Sequence, residues 1–274
     1  MSETDLPVVV LSHRSPVSYG RDESGARTMT RGAGGIVTAL TGLSEQFGDA
    51  VWVCAADTDE DRAVVAEHDG GAFEVEDGDG AGRLRLRMVA VDEETQRKFY
   101  GVIANPLLWF IQHGLYGLAT EPDITLSDHE AFDTGYVSAN EQFANAVADE
   151  VERRGGRARV MLHDYHFYLV AGFVRSRCPD VAMSLFVHIP WPGPDSWTVL
   201  PPSMRDRLFT GIAANDVVAF HTPRFARNFL LCLQEHLGLD VDWDDMSVRV
   251  DGRVVRARVY PISIDVDALR TLAA

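Results

Sequence analysis

The sequence predicts an α/β protein, with a mainly parallel, twisted sheet and helices packed against it. Short apolar runs rich in β-branched residues recur, among them "PVVVLS" (7–12), "RVMLH" (159–163) and "DVVAFH" (216–221). After residue 157 such runs alternate with helical stretches of about 10–15 residues, which is the pattern of βαβ units. The 274 residues, 46% of them hydrophobic, are enough to bury a sizeable core.

Taken in order, "PVVVLS" is a buried first strand, and a polar, arginine-dotted loop over 13–31 follows it. In "GAGGIVTALTGLSEQFG" (32–48), Ile36, Val37, Leu40 and Leu43 recur at helical spacing and Gly48 suits a C-terminal cap. "AVWVCA" (50–55) is the next strand, and "AFEVE" and "LRLRMVAV" form a strand pair across an Asp/Gly-rich turn. From residue 104 the pattern turns helical, through "ANPLLWFIQHGLYGL" and then "SANEQFANAVADEVERR" (138–154). "RVMLH", "AMSLFVH" and "DVVAFH" then alternate with helices over 166–177, 202–213 and 222–236, and strands over 246–251 and 254–260 flank "DGR" as a hairpin.

Composition excludes several functions. A formal charge of −16 disfavours a nucleic-acid backbone or an anionic membrane as partner. No apolar run reaches the ~18 residues of a membrane span. Two acids precede the first apolar run of "MSETDLPVVV", where a secretory signal needs a basic flank, so a cytoplasmic location is expected. Cys54, Cys178 and Cys232 are few and far apart, as expected of reduced, buried thiols, and they lack metal-ligand spacing. Only one of the 25 basic residues, Lys98, is a lysine, so arginine is too common here for any single one to signal function. The acidic stretches 58–62, 74–82 and 240–245 read as solvated loops and turns.

In open α/β sheets, ligands bind at the carboxyl ends of the strands. Those ends here deliver Ser12-His13-Arg14, His163-Asp164-Tyr165, His188 and His221-Thr222. The glycine cluster of "RGAGGIVTAL" precedes a helix start, where backbone amides favour a phosphate, but it matches neither G-x-G-x-x-G nor a P-loop, and a tight turn explains it equally. Asp164 is placed either to cap a helix or to accept sugar hydroxyls. His188 ends an apolar strand, and "IPWPGP" behind it stiffens the chain, an arrangement that suits a positioned ligand-binding ring. Trp109 and His113 share a helix face, and with Tyr100 and Asn105 they fit either a core stripe or the apolar face of a sugar.

Seven motifs then fall in one order: "VVLSHR…GAGGIVTAL", "FYGVIANPLLWFIQHG", "YVSAN" (136–140), "HDYHFYL", "FVHIPWP", "GIAANDVVAFHT" and "VYPISID". In that order they resemble the trehalose-6-phosphate synthases, retaining glycosyltransferases of family 20 with two Rossmann-like domains (the GT-B architecture), from about residue 8 to 267. The resemblance implies that residues 1–274 form a single N-terminal, acceptor-binding Rossmann-like domain. It implies that Arg14 meets the acceptor phosphate, that Tyr100 and Trp109 line the same pocket, and that Asp164 and Tyr165 contact acceptor hydroxyls. Gly34 and Gly35 resemble the loop closing on the donor diphosphate, and His188 the histidine beside the transferred sugar. Asp164 and His188 are therefore the expected catalytic pair. No cofactor or metal is implied, since the nucleotide-sugar donor, such as UDP-glucose, is a substrate.

Two departures accompany the resemblance. "SHR" stands where the family usually has "SNR", and "WPGPDSW" replaces a phenylalanine- and serine-rich turn. The second resembles a pseudo-glycosyltransferase branch that couples cyclitols through nitrogen, so a cyclitol phosphate is an alternative acceptor. The donor-binding domain is expected outside this chain, with a separate chain as its possible carrier, and the isolated chain is expected to transfer nothing. A non-catalytic sugar-phosphate-binding or regulatory role is the alternative from another class.

Overall fold

The computed structural model describes residues 6–32, 50–76, 83–117, 120–262 and Arg270. The expected helix over 32–48, with Gly34 and Gly35, lies outside the described residues apart from Gly32.

A ten-stranded sheet organises the molecule. Its strands are β1 (Val8–Leu11), β4 (Ala50–Ala55), β5 (Phe73–Glu76), β6 (Arg83–Val89), β7 (Arg159–His163), β8 (Ala182–Phe186), β9 (Val217–Phe220), β10 (Val241–Asp242), β11 (Ser247–Val250) and β12 (Arg253–Val259). The order is β10-β11-β12-β9-β8-β7-β1-β4-β6-β5, parallel from β12 to β6 and antiparallel at both edges. From β1 the chain winds outward first through β4 and β6, then back through β7, β8 and β9. The direction of winding therefore reverses between β1 and β7.

Side chains on the central strands alternate between two cores, as the strand period requires. Val9, Leu11, Val51 and Val53 enter the larger core, while Val8, Val10, Trp52 and Cys54 enter the smaller one. Each of these buried aliphatic side chains contributes roughly 1.5–3 kcal/mol by leaving water. All three cysteines are buried and free.

The helices are α1 (Asp59–Glu67), α2 (Glu93–Lys98), α3 (Phe110–His113), α4 (Leu126–Ala131), α5 (Ser138–Arg153), α6 (Val170–Arg177), α7 (Pro194–Trp197), α8 (Pro202–Ile212) and α9 (Pro223–Leu237). None of the described helices is long and apolar enough to cross a membrane. Phe99–Trp109 links α2 to α3 as π-helical turns, and Phe132–Val137 does the same between α4 and α5. The helix expected from residue 104 therefore begins eleven positions earlier, at Glu93, where Asp92 caps it by accepting from the Thr95 amide at 3.0 Å. The late hairpin folds as expected, with Asp251 (φ 50°) and Gly252 (φ 81°) making its tight turn.

The loop expected over 13–31 is corrected: β2 (Val17–Arg21) and β3 (Arg27–Arg31) pair there as an antiparallel hairpin. Its polar strands show no alternation to read. A distant carboxylate holds it instead: Asp61, buried at the start of α1, accepts from the Tyr19 amide at 2.7 Å, and Thr58 Oγ1 donates to the Tyr19 carbonyl at 2.8 Å.

The arginine-rich composition is largely structural. The buried Glu150 carboxylate is ringed by Arg87 (3.1 Å), Arg153 and Arg154 (2.8 Å).

Candidate functional site

At the winding reversal, the chain leaving β1 and the chain leaving β7 diverge and open a cleft. The β1 end is fixed first. Trp52 Nε1 donates to Ser12 Oγ at 2.8 Å, and that hydroxyl donates to the Arg14 carbonyl at 2.7 Å. The bend buries His13 and exposes Arg14. Beside Arg14 lies a cavity of about 240 Å³, lined also by Ser15, Ser18, Arg31, Gly32 and Asp57. The positive charge of Arg14 is felt by His13, His166, Tyr165 and Asp57, so it acts on the whole β1–β7 mouth.

Four rings stack across this mouth. His13 lies 4.7 Å from Tyr100 and 4.7 Å from His166, near-parallel to both, and His166 lies 4.0 Å from Tyr165. Burial holds the His13 imidazole down to about 3, so the stack is uncharged at neutral pH. The histidine that replaces the family's asparagine is thus a packing element for Tyr100.

The β7 loop is clamped from behind by the "YVSAN" segment. The Tyr136 hydroxyl donates to the Tyr165 carbonyl at 2.7 Å. Asn140 Nδ2 donates to the His166 carbonyl at 3.0 Å, and its Oδ1 accepts from the Leu169 amide at 3.1 Å. Held this way, Asp164 adopts φ 72° and is 5% exposed. Its carboxylate caps no helix; Oδ1 accepts from the His188 amide at 3.2 Å. Burial pushes the carboxyl up to about 7, against the hydrogen bonds from the His188 and Tyr165 amides that pull it down. A group poised there accepts a hydrogen bond when ionised and can also donate one when protonated.

His188 is not the solitary ring that the sequence presents. Its Nε2 lies 2.9 Å from Nδ1 of the buried His163, and His221 from the end of β9 stands 5.8 Å away. The register pairs His163 with Phe186 and Phe186 with Ala219, which brings these three strand ends to one edge.

Tyr100, Asn105 and Trp109 are aligned by the π-helical winding. At about four and a half residues per turn, the nine positions from Tyr100 to Trp109 make roughly two full turns, where an α-helix would make about two and a half and put them on opposite sides. Asn105, between them, accepts from the Tyr165 hydroxyl at 2.7 Å, so this face looks onto the β7 loop. The Trp109 ring itself contacts His113 (4.0 Å) and Phe110 (5.1 Å), at the far end of that face from the ring stack.

The structure thus gathers Arg14, Tyr100, Asp164, Tyr165 and His188 at one cleft and sets Trp109 on the same helical face. Asn105 and His163, both singled out in the sequence, also act there, and so do Arg31 and Asn140. The "WPGPDSW" departure lies elsewhere. Trp191 and Trp197 are both 0% exposed, 4.8 Å apart, and packed among Phe209, Phe220 and Phe229, with Asn228 Nδ2 donating to the Trp191 carbonyl at 2.9 Å. The two rings fill the core, while the turn between them, Pro192–Ser196, is partly exposed. A larger cavity of about 600 Å³ lies ahead of β9 and β12, at the opposite edge of the sheet. Size alone favours it, but its Arg175 and Arg253 are spent on backbone carbonyls, Ala214 among them.

Strand order, the cleft at the winding reversal and a lining of arginine, carboxylate and aromatic rings define a Rossmann-like domain. The chain belongs to glycosyltransferase family 20, whose model matches residues 7–274. It is 29% identical over 260 residues to alpha,alpha-trehalose-phosphate synthase [UDP-forming] A of Dictyostelium discoideum, covering 95% of this chain and 32% of the relative. It is 31% identical to trehalose-6-phosphate synthase of Mycobacterium tuberculosis, covering 98% of this chain and 52% of that one. Among solved structures, an E. coli protein bound with UDP-2-fluoro glucose superimposes with a TM-score of 0.74 at 22% identity, covering 98% of this chain and 51% of the other. The N-terminal domain of a Candida albicans trehalose-6-phosphate phosphatase superimposes equally well, at 0.74 and 20% identity. The chain spans between a third and about half of the length of the curated relatives it matches.

Proposed function

We propose that this chain is the acceptor-binding half of a retaining glycosyltransferase that moves a glucosyl group from a nucleotide-glucose, such as UDP-glucose, to glucose 6-phosphate. The observation that carries this reading is the mouth of the β1–β7 cleft. There Arg14 stands at the end of β1 with the ring stack and Asp164 on its β7 side, and on its β4 side it borders a cavity of about 240 Å³ with Arg31, Ser15, Ser18, Asp57 and Asp61. Two guanidinium groups suit a phosphate, which they bind through charge-assisted bonds in a defined plane. Tyr100, with Trp109 on the same helical face, offers an apolar surface to the sugar ring, and Asp164 and Tyr165 address its hydroxyls.

In transfer, the bond from the donor anomeric carbon to the diphosphate oxygen breaks, and the acceptor oxygen bonds to that carbon on the same face. The acceptor proton passes to the leaving diphosphate. The protein orients both sugars and stabilises charge on the leaving diphosphate. His188 faces the transferred sugar, and the family resemblance assigns Gly34 and Gly35, outside the described residues, to the donor diphosphate. No cofactor takes part. The remaining grip on the donor is assigned to residues outside these 274, in the same polypeptide or in a partner chain. Capture of a donor-binding partner that restores transfer would decide for transfer over plain sugar-phosphate binding.

Calorimetric titration of the chain with glucose 6-phosphate tests the reading. Arg14→Ala is expected to cost roughly 1.5–3 kcal/mol, about ten- to a hundredfold in affinity. Binding unchanged by Arg14→Ala would place the phosphate elsewhere.

A further inference from the structure

We infer that His163 is a positioning residue that fixes His188 in one tautomer, protonated on Nδ1, so that His188 offers the cleft a hydrogen-bond donor and not a base. His163 Nδ1 and His188 Nε2 are 2.9 Å apart, which requires one proton between them. Burial lowers both rings, to about 4 for His163 and about 3 for His188, so at neutral pH each carries a single proton.

Two arrangements satisfy that count. If His188 Nε2 donates, the His163 proton sits on its Nε2, which is buried and has no hydrogen-bond partner among the described residues. A buried N–H without an acceptor is the rarer and costlier defect in proteins. If His163 Nδ1 donates, its Nε2 is left as a bare lone pair and the His188 proton moves to Nδ1. The second arrangement strands no donor and is the one the burial of His163 selects.

The same loop fixes the backbone of His188 as well, because Asp164 accepts its amide. Consecutive residues His163 and Asp164 therefore set both the position of His188 and the proton on its ring. With Nε2 engaged, Nδ1–H is the polar group left to hydrogen-bond an oxygen of a bound sugar or phosphate. Acceptance of the acceptor proton then falls to the leaving diphosphate, as the proposed transfer requires. The functional weight of the inference rests on the proposed function, but the tautomer does not.

The test is long-range 1H–15N correlation on the chain labelled at histidine nitrogen, at pH 7, with the His188 signals identified by their loss in His188→Gln. The expected pattern is a pyrrole-type Nδ1 and a pyridine-type Nε2 at His188. His163→Phe, which removes the donor, is expected to shift His188 toward protonation at Nε2. His163→Asn, whose amide N–H replaces Nδ1–H, is expected to restore the original pattern. A pyrrole-type Nε2 at His188 in the unsubstituted chain overturns the inference without any variant, and so does a His188 pattern indifferent to His163→Phe. Failure of glucose 6-phosphate to bind would overturn the proposed function and leave the tautomer measurement standing.

Discussion

Asp164 and four histidines around it, three buried and His188 half-buried, make the cleft respond to pH in opposite senses. The carboxyl is raised to about 7, so between about pH 4 and 7 the folded chain holds a proton that the unfolded chain has released. From that group alone, stability falls as pH rises through this window. His13, His163, His166 and His188 are all lowered by burial, so below about pH 6.5 the unfolded chain takes up protons that the folded chain refuses. Four histidines oppose one carboxyl, so the net effect is a loss of stability as pH falls below about 6.5. The melting temperature is therefore expected to drop steeply from pH 6.5 to 5. Asp164→Asn keeps an acceptor for the His188 amide and removes the opposing term, so its melting temperature should exceed the parent's at pH 8 and fall more steeply on acidification. A parent curve flat over that range would mean the histidines are solvated. At this scale His188 is legible in the sequence because it ends an apolar run beside turn-forming prolines, whereas Arg14 and Asp164 follow strand ends and take their expected roles from the family resemblance. His163 stands in view with them, but its bond to His188 spans 25 positions and no local pattern announces it.

Among the elements, the π-helical stretch Phe99–Trp109 does most to shape the cleft. Its start is pinned where Gly135 crosses Lys98. A Cβ at Gly135 would lie 2.3 Å from Lys98 Cβ and 2.9 Å from the Phe99 amide nitrogen, so the two helical segments touch through the glycine. Gly135→Ala must push backbone apart and is expected to cost about 1–3 kcal/mol, with a melting temperature several degrees lower. Because the displaced segment carries Tyr100, sugar-phosphate affinity should fall with it; melting and titration of the same variant check both. A variant that melts like the parent would show that the segments are free to separate. Strands and long helices are readable here from period alone. The π winding is not, since "FYGVIANPLLW" has the composition of an ordinary apolar helix and only the sheet-side contacts of Tyr100 and Asn105 show the wider turn. The β2–β3 hairpin is hidden for a related reason: the carboxylate that holds it, Asp61, belongs to the next helix.

At the scale of the whole molecule, the parallel order from β12 to β6 follows from the βαβ alternation, and the winding reversal at β1 and β7 gives the cleft its place. The motifs that carry the family resemblance sit mostly on the strand ends or on the helices behind them, which is why their order along the chain already speaks for the fold. What the sequence could not supply is the fate of "WPGPDSW", because a tryptophan beside a cleft strand looks the same whether its ring turns to the ligand or, as here, into the core. The proposed division of labour predicts that the chain alone, given UDP-glucose and glucose 6-phosphate, releases no UDP above the uncatalysed rate in a coupled assay. Sustained release would mean that the donor site is already complete within these 274 residues. The most direct test of the cleft itself is amide chemical-shift mapping of the chain as glucose 6-phosphate is added. Saturable shifts concentrated at His13–Gly32, Tyr100–Trp109 and His163–His166 are predicted; shifts that cluster instead around Arg175 and Arg253, with the β1–β7 mouth silent, would contradict the assignment of the acceptor site.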